Sequence, residues 1–187
     1  MIRLNDVRFN KTIRDNAGPQ NTTVPIYFCP ARRSPQVCTA TFMNAPPGAC
    51  SDYAVVGGDN TLNTGAFHIN DLYGAGIKLT EITDGTSSTL MVGEKHLAPL
   101  DLQSGQFDGY VYSANPSGLS FRQAGSAHPL ALGTTDAQNG QFGSWHTNLV
   151  HFVFCDGHVA GLSTSLPGTT LGFLATRAGG ETPSDYE

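Results

Sequence analysis

Four cysteines, six histidines and a scatter of carboxylates are the side chains of this sequence best equipped for chemistry. Cys29, Cys38, Cys50 and Cys155 form no Cys-x-x-Cys pair, and the first spacings of 9 and 12 do not fit zinc knuckles. An even count in a Gly- and Pro-rich chain is compatible with two disulfides and an oxidising compartment. Three connectivities are open at this point. Cys155 lies near His146 and His158 in sequence, which raises a Cys–His hydrolase. Such a nucleophile needs an exposed, electropositive setting. Cys155 instead ends an apolar run and precedes Asp156, an arrangement that raises a thiol pKa, so a disulfide or a buried thiol is the better reading.

His68, His96, His128, His146, His151 and His158 include no His-Glu-x-x-His, so no transition-metal set is read from them. His146 is separated by nine residues from Asp156-Gly157. A turn and a strand between them would bring the imidazole to the hairpin tip, hydrogen-bonded to the Asp156 carboxylate. No nucleophile accompanies that pair, so it reads as architecture rather than acid/base catalysis. Asp84-Gly85-Thr86 offers oxygen ligands in a turn, with Glu94 expected nearby. Asp84 and Thr86 are thus calcium candidates, but the spacing is not that of an EF-hand, and turn and cap chemistry explains the residues better. Trp145, Tyr110, Tyr112 and Tyr73 sit in Gly-rich loops, where they could stack on sugars or a partner, or pack inward. No cofactor is expected.

Short strands must position these groups. Thr23–Cys29 is β-branched and aromatic and reads as an edge strand, because Pro25 lacks an N–H. Residues 30–50 form a long loop that a Cys38–Cys50 bridge would staple. Further strands are read at 52–56, 65–69, 89–94 and 110–112, with a helical turn at Thr80. Leu149–Cys155 is nearly continuous apolar, as in a strand covered on both faces. Asp156-Gly157 then turns the chain into a returning strand at 158–162. Residues 169–178 read as a short helix, with Arg177 complementing its C-terminal dipole and Gly179-Gly180 stopping it. Residues 1–22 are an irregular lead-in and 181–187 a polar tail, so 1–187 reads as one domain.

Bulk composition supports this. Charged residues are 13% of the 187, with 22 glycines and 11 prolines, which suits short strands and ordered loops. Six of the ten basic residues precede residue 34; beyond it, four basic residues face thirteen acidic ones, net −9. The basic residues read as solvated side chains. No basic stripe interleaved with aromatics argues for nucleic acid. No apolar run approaches the ~18 residues of a membrane span, and Met1–Asp6 shows no signal-peptide core.

Four segments, in order, carry a resemblance. They are Val24-Pro25-Ile26-Tyr27-Phe28-Cys29-Pro30 with Ser51-Asp52-Tyr53-Ala54 and Gly57-Gly58-Asp59; Ile82 to Lys95; Phe142-Gly143-Ser144-Trp145-His146 with Asp156-Gly157; and Leu174 to Glu181. Together they resemble the domain of unknown function 1559, a family of planctomycete-type, pilin-like proteins whose C-terminal signature is His, nine residues, Asp-Gly. The resemblance implies an α+β, mostly β, pilin-like globular head. It would have a twisted antiparallel sheet, long ordered loops and a short C-terminal helix. It implies export to the periplasm, cell surface or medium. It also implies a non-enzymatic structural subunit of a type II secretion- or pilus-like assembly, with protein partners or self-association. An extracellular binding module for a carbohydrate or small solute is the alternative. Family members usually begin with a prepilin peptide and a long hydrophobic helix. Neither is visible in this sequence, so the helix is expected to have been removed or the chain to be a short variant. With both Cys29 and Cys155 inside the resemblance, the expected disulfides are Cys29–Cys155 and Cys38–Cys50.

Overall fold

The computed structural model describes residues 21–39, 47–68, 76–109, 111, 120–181, 183 and 186. Most of the lead-in, Ile69, Tyr73, Tyr110, Tyr112 and part of the tail therefore lie outside the described residues. The architecture is α+β and mostly β. Among the described residues the strands are β1 (Val37–Cys38), β2 (Gly48–Ala49), β3 (Tyr53–Val56), β4 (Leu90–Glu94), β5 (Phe121–Arg122), β6 (Leu149–Phe154) and β7 (Val159–Ser163). One helix, α1 (Gly168–Ala175), follows them.

β1 and β2 form a small antiparallel ribbon, and the others a sheet in the order β5-β3-β4-β6-β7. All pairs in that sheet are antiparallel except β3–β5, which is parallel. β6 alternates cleanly. Val150, Phe152 and Phe154 are buried, Leu149 is exposed and Val153 half-buried. The strand is thus fully covered on one face only, not on both. Leu171, Leu174 and Ala175 of α1 join that buried face, together with Val56, Leu90 and Phe142. No helix among the described residues is long and apolar enough to cross a membrane.

Three local readings change. Thr23–Cys29 is not a strand: Pro25–Tyr27 is a 3-10 turn, with Ile26 and Tyr27 facing solvent. Pro25 fixes φ at the turn's first position, and the Tyr27 and Phe28 N–H groups close back on the carbonyls of Val24 and Pro25. Of the strand expected at 65–69, residues 65–67 form bends, His68 has no regular structure and Ile69 lies outside the described residues. α1 ends at Ala175, because Thr176 is extended and Arg177 leaves the helix to bind elsewhere. The Arg177 guanidinium donates to the carbonyls of Asn63 (2.6 Å) and Gly65 (2.8 Å), so its role is to hold a loop rather than to complement a dipole.

Phe142 and Phe152 meet edge to face, with ring centroids 5.1 Å apart, directly over Gly93 of β4. A Cβ there would overlap the Phe152 ring and lie 2.8 Å from Phe142 Cδ1. Gly93→Ala should therefore cost about 1–3 kcal/mol of unfolding free energy by urea denaturation, through overpacking. A variant as stable as the parent would show that the two rings have room to retreat.

Candidate functional site

The expected Cys38–Cys50 disulfide is present, and it closes the 30–50 loop beside the β1–β2 ribbon. At the start of that loop the chain curls, with the N–H groups of Arg32 and Arg33 both donating to the Cys29 carbonyl. Arg32 and Arg33 are not solvated. They enter a buried polar knot with Asp52, Lys95 and Asp108. Asp52 Oδ1 lies 3.2 Å from Arg32 and 2.7 Å from Arg33, while Oδ2 accepts the Cys29 N–H at 2.8 Å. Arg32 also donates to the carbonyls of Lys95 (2.7 Å) and Gly143 (3.2 Å). Arg33 forks onto both Asp108 oxygens, at 2.5 and 2.9 Å. That contact and the Lys95 charge hold the Asp108 carboxyl below the usual range, against the opposing effect of burial. Burial pushes the fully enclosed Lys95 amine down to about 7.

On the other side of Cys29 lies a second group. Glu94 ends β4 and is 1% exposed. His151, on the neighbouring strand β6, gives Glu94 Oε2 its backbone N–H (2.8 Å) and presents ring Nδ1 at 3.1 Å. His146 sits on the loop before β6. The Ser144 hydroxyl curls this loop by donating to the Leu149 carbonyl and accepting the His146 N–H. His146 Nε2 lies 3.4 Å from Cys29 Sγ and 3.3 Å from Glu94 Oε1. The two imidazoles meet edge to face, 4.8 Å apart. Burial pushes the Cys29 thiol up, and the Glu94 charge adds to it.

This geometry corrects two expectations. His146 does not reach Asp156; it stands at the opposite end of β6 and partners Glu94 and Cys29. Asp156 instead receives the N–H of His158 at 3.0 Å and lies 2.7 Å from its ring, which stacks on Phe154. Gly157, at φ 94°, completes the expected turn into β7. Cys29 and Cys155 are both free and are not paired. The Cys155 N–H binds the Thr89 carbonyl at one end of β4, and Cys29 lies at the Glu94 end. Five strand residues separate those ends, about 16 Å, which no disulfide spans. Burial and the Asp156 charge push the Cys155 thiol up to about 11.

Asp84 and Glu94 are likewise apart. The Asp84 carboxylate takes the N–H groups of Gly179 (2.7 Å) and Gly180 (2.9 Å), one on each oxygen. The Asp84-Gly85 turn is thus clamped to the segment after α1. The remaining histidines are separate: His96 Nε2 contacts the Asp136 carbonyl and His128 Nδ1 that of Asn139. Trp145 is half-buried, its indole N–H spent on the Leu97 carbonyl at 3.0 Å.

Sequence reasoning missed His151 as a partner of Glu94, and the interior placement of Arg32, Arg33, Lys95 and Asp108. The available signal was that Cys29, Asp52, Glu94 and His146 all fall within the segments carrying the resemblance, and all four meet here. A family model described as "Protein of unknown function (DUF1559)" matches residues 4–169. No curated protein and no solved structure matches the chain. Because that match spans Cys29, Asp52, Asp84, Glu94, His146 and Asp156-Gly157, and most of the fold they organise, the chain belongs to the DUF1559 family.

Proposed function

We propose that this chain is the globular part of an exported, non-enzymatic structural subunit of a type II secretion- or pilus-like assembly, held at the envelope or cell surface by self-association or by protein partners. The observation that carries the reading is where the motif side chains point. Asp52, Asp84, Arg32 and Arg177 are spent as clamps between distant loops. Polar networks of that kind specify one rigid shape, as a repeating subunit requires. The Cys38–Cys50 bridge supports an oxidising location. Burial and the Asp156 charge keep the free Cys155 thiol protonated at neutral pH, which supports a role other than covalent catalysis for it.

The test combines two measurements on cells making the protein with its native N-terminal sequence. Alkylation before lysis should find Cys38 and Cys50 oxidised, with the protein in the envelope or extracellular fraction. Site-specific photo-cross-linking should give a regular ladder or one defined adduct. Reduced protein in the cytoplasmic fraction, or a cross-linked sample that stays monomeric, would overturn the reading.

A further inference from the structure

Three ligand atoms of different chemistry converge beside β4: Cys29 Sγ, a Glu94 carboxylate oxygen and a His146 ring nitrogen all lie within 4.8 Å of one another. We propose that they form a zinc(II) site, with His151 as the residue that positions the carboxylate and a water as the fourth ligand.

The distances carry the first part of the argument. Zinc binds sulfur at about 2.3 Å and nitrogen or oxygen at about 2.0–2.1 Å, tetrahedrally. The edges of such a tetrahedron are about 3.5 Å for sulfur to nitrogen and about 3.3 Å for nitrogen to oxygen. The corresponding separations are 3.4 Å from Cys29 Sγ to His146 Nε2 and 3.3 Å from Nε2 to Glu94 Oε1. A single imidazole nitrogen faces both a thiol and a carboxylate, although it can donate at most one proton. One cation at the common centre satisfies all three.

The second part is the outer contact. Ligating carboxylates are themselves held by hydrogen bonds that leave one oxygen for the metal. His151 does this, occupying Oε2 with its backbone N–H and ring Nδ1 and leaving Oε1 turned to His146. Glu94 and Cys29 are buried at 1% and 2% exposure, whereas the His146 side chain is 34% exposed. Two ligands are therefore fixed, and the third borders solvent, where a water completes the set. The donors choose the metal: thiolate and imidazole disfavour calcium and magnesium, and a mixed sulfur, nitrogen and oxygen tetrahedron suits zinc. Binding forms the sulfur–zinc bond and releases the Cys29 thiol proton to solvent. The second convergent group, Cys38, Cys50 and Asp108, is not a competitor, because its sulfurs are bonded to each other. The ion would join the Cys29 turn, β4 and the His146 loop, and this holds whether or not the chain is an assembly subunit.

Cobalt(II) tests the site on the intact protein, because a thiolate–cobalt bond gives a near-ultraviolet charge-transfer band and tetrahedral cobalt gives intense visible bands. The expected result is one equivalent of cobalt with both features, displaced by zinc. Cys29→Ser should abolish the charge-transfer band, and Cys155→Ser should leave it intact. His146→Ala and Glu94→Gln should weaken zinc binding at least tenfold in competition with a chromophoric chelator. His151→Leu should weaken it by about 10–100-fold while the saturated cobalt spectrum persists. The parent protein decides the matter even if a variant fails to fold. Absence of a charge-transfer band on the parent at saturating cobalt would overturn the site, as would a band that depends on Cys155 rather than Cys29.

Discussion

Asp52→Asn is expected to lower the unfolding free energy by about 3–5 kcal/mol, the cost of leaving a buried charge without its counter-ion. Asp52 is the carboxylate that faces Arg32, whose side chain has no solvent exposure, and it shares Arg33 with Asp108. Asparagine can still accept the Cys29 N–H, so the substitution isolates the charge from the hydrogen bond. A domain of ordinary stability holds only about 5–15 kcal/mol in total, so the variant should unfold at markedly lower urea with an unchanged slope. Adding Arg32→Met should return part of the loss, because Arg33 and Asp108 then remain as a matched pair. The recovery is partial, since the Lys95 and Gly143 carbonyls also lose their donor. A single variant within 1 kcal/mol of the parent would mean that the arginines find water or another anion.

Stability should also rise as pH is raised from 7 to 9, by an amount on the order of 2 kcal/mol. Lys95 is the cause. Its amine titrates near 7 in the folded protein against an ordinary 10.5, so across this window the unfolded chain holds a proton that the folded protein has released. Unfolding free energy then climbs with pH, by at most about 1.4 kcal/mol per unit for one proton. The stabilisation is fully present above 10.5 and is lost as pH falls through 7. Groups with the opposite sign begin to offset this only near pH 9 and act mainly above it: the Cys155 thiol is raised from 9.0 to about 11, the Cys29 thiol is raised from 9.0, and the Tyr53 phenol is raised from 10.0 to about 12. His68 and His96, both lowered from 6.5, act only on the acid side. Urea unfolding at each pH should show the slope, and Lys95→Met should flatten it. A level profile for the parent would mean that the Lys95 amine stays charged in the interior.

The parts of the fold that local pattern determines were legible. β3, β4 and the β6–β7 hairpin fall where short apolar runs bounded by glycines and the Asp156-Gly157 turn place them, because strand propensity and turn chemistry act over a few residues, although the alternating burial of β6 did not show in its nearly continuous apolar sequence. The short helix was legible too, but not its end, because Arg177 is claimed by loop carbonyls more than 100 residues away in sequence, as its 114-residue separation from Asn63 shows. Pro25–Tyr27 misled because an apolar, β-branched run is indistinguishable from a strand until its backbone partners are known. The Cys29–Cys155 pairing failed for a related reason. Each thiol follows an apolar segment, yet nothing local says which end of β4 each segment adjoins. His146 and Glu94 were legible as residues of interest, but their meeting depends on the β4–β6 register, which sets Gly93 opposite Phe152.

The buried polar knot also bears on how fast the chain can reach its shape. Arg32 closes onto carbonyls 63 and 111 residues ahead of it, and Arg33 onto a carboxylate 75 residues ahead. None of these charges can shed its hydration until those long loops have closed. Native contacts so remote along the chain place refolding in the millisecond-to-second range rather than microseconds. During that interval the unpaired β4 and β6 segments stand open to association with other chains.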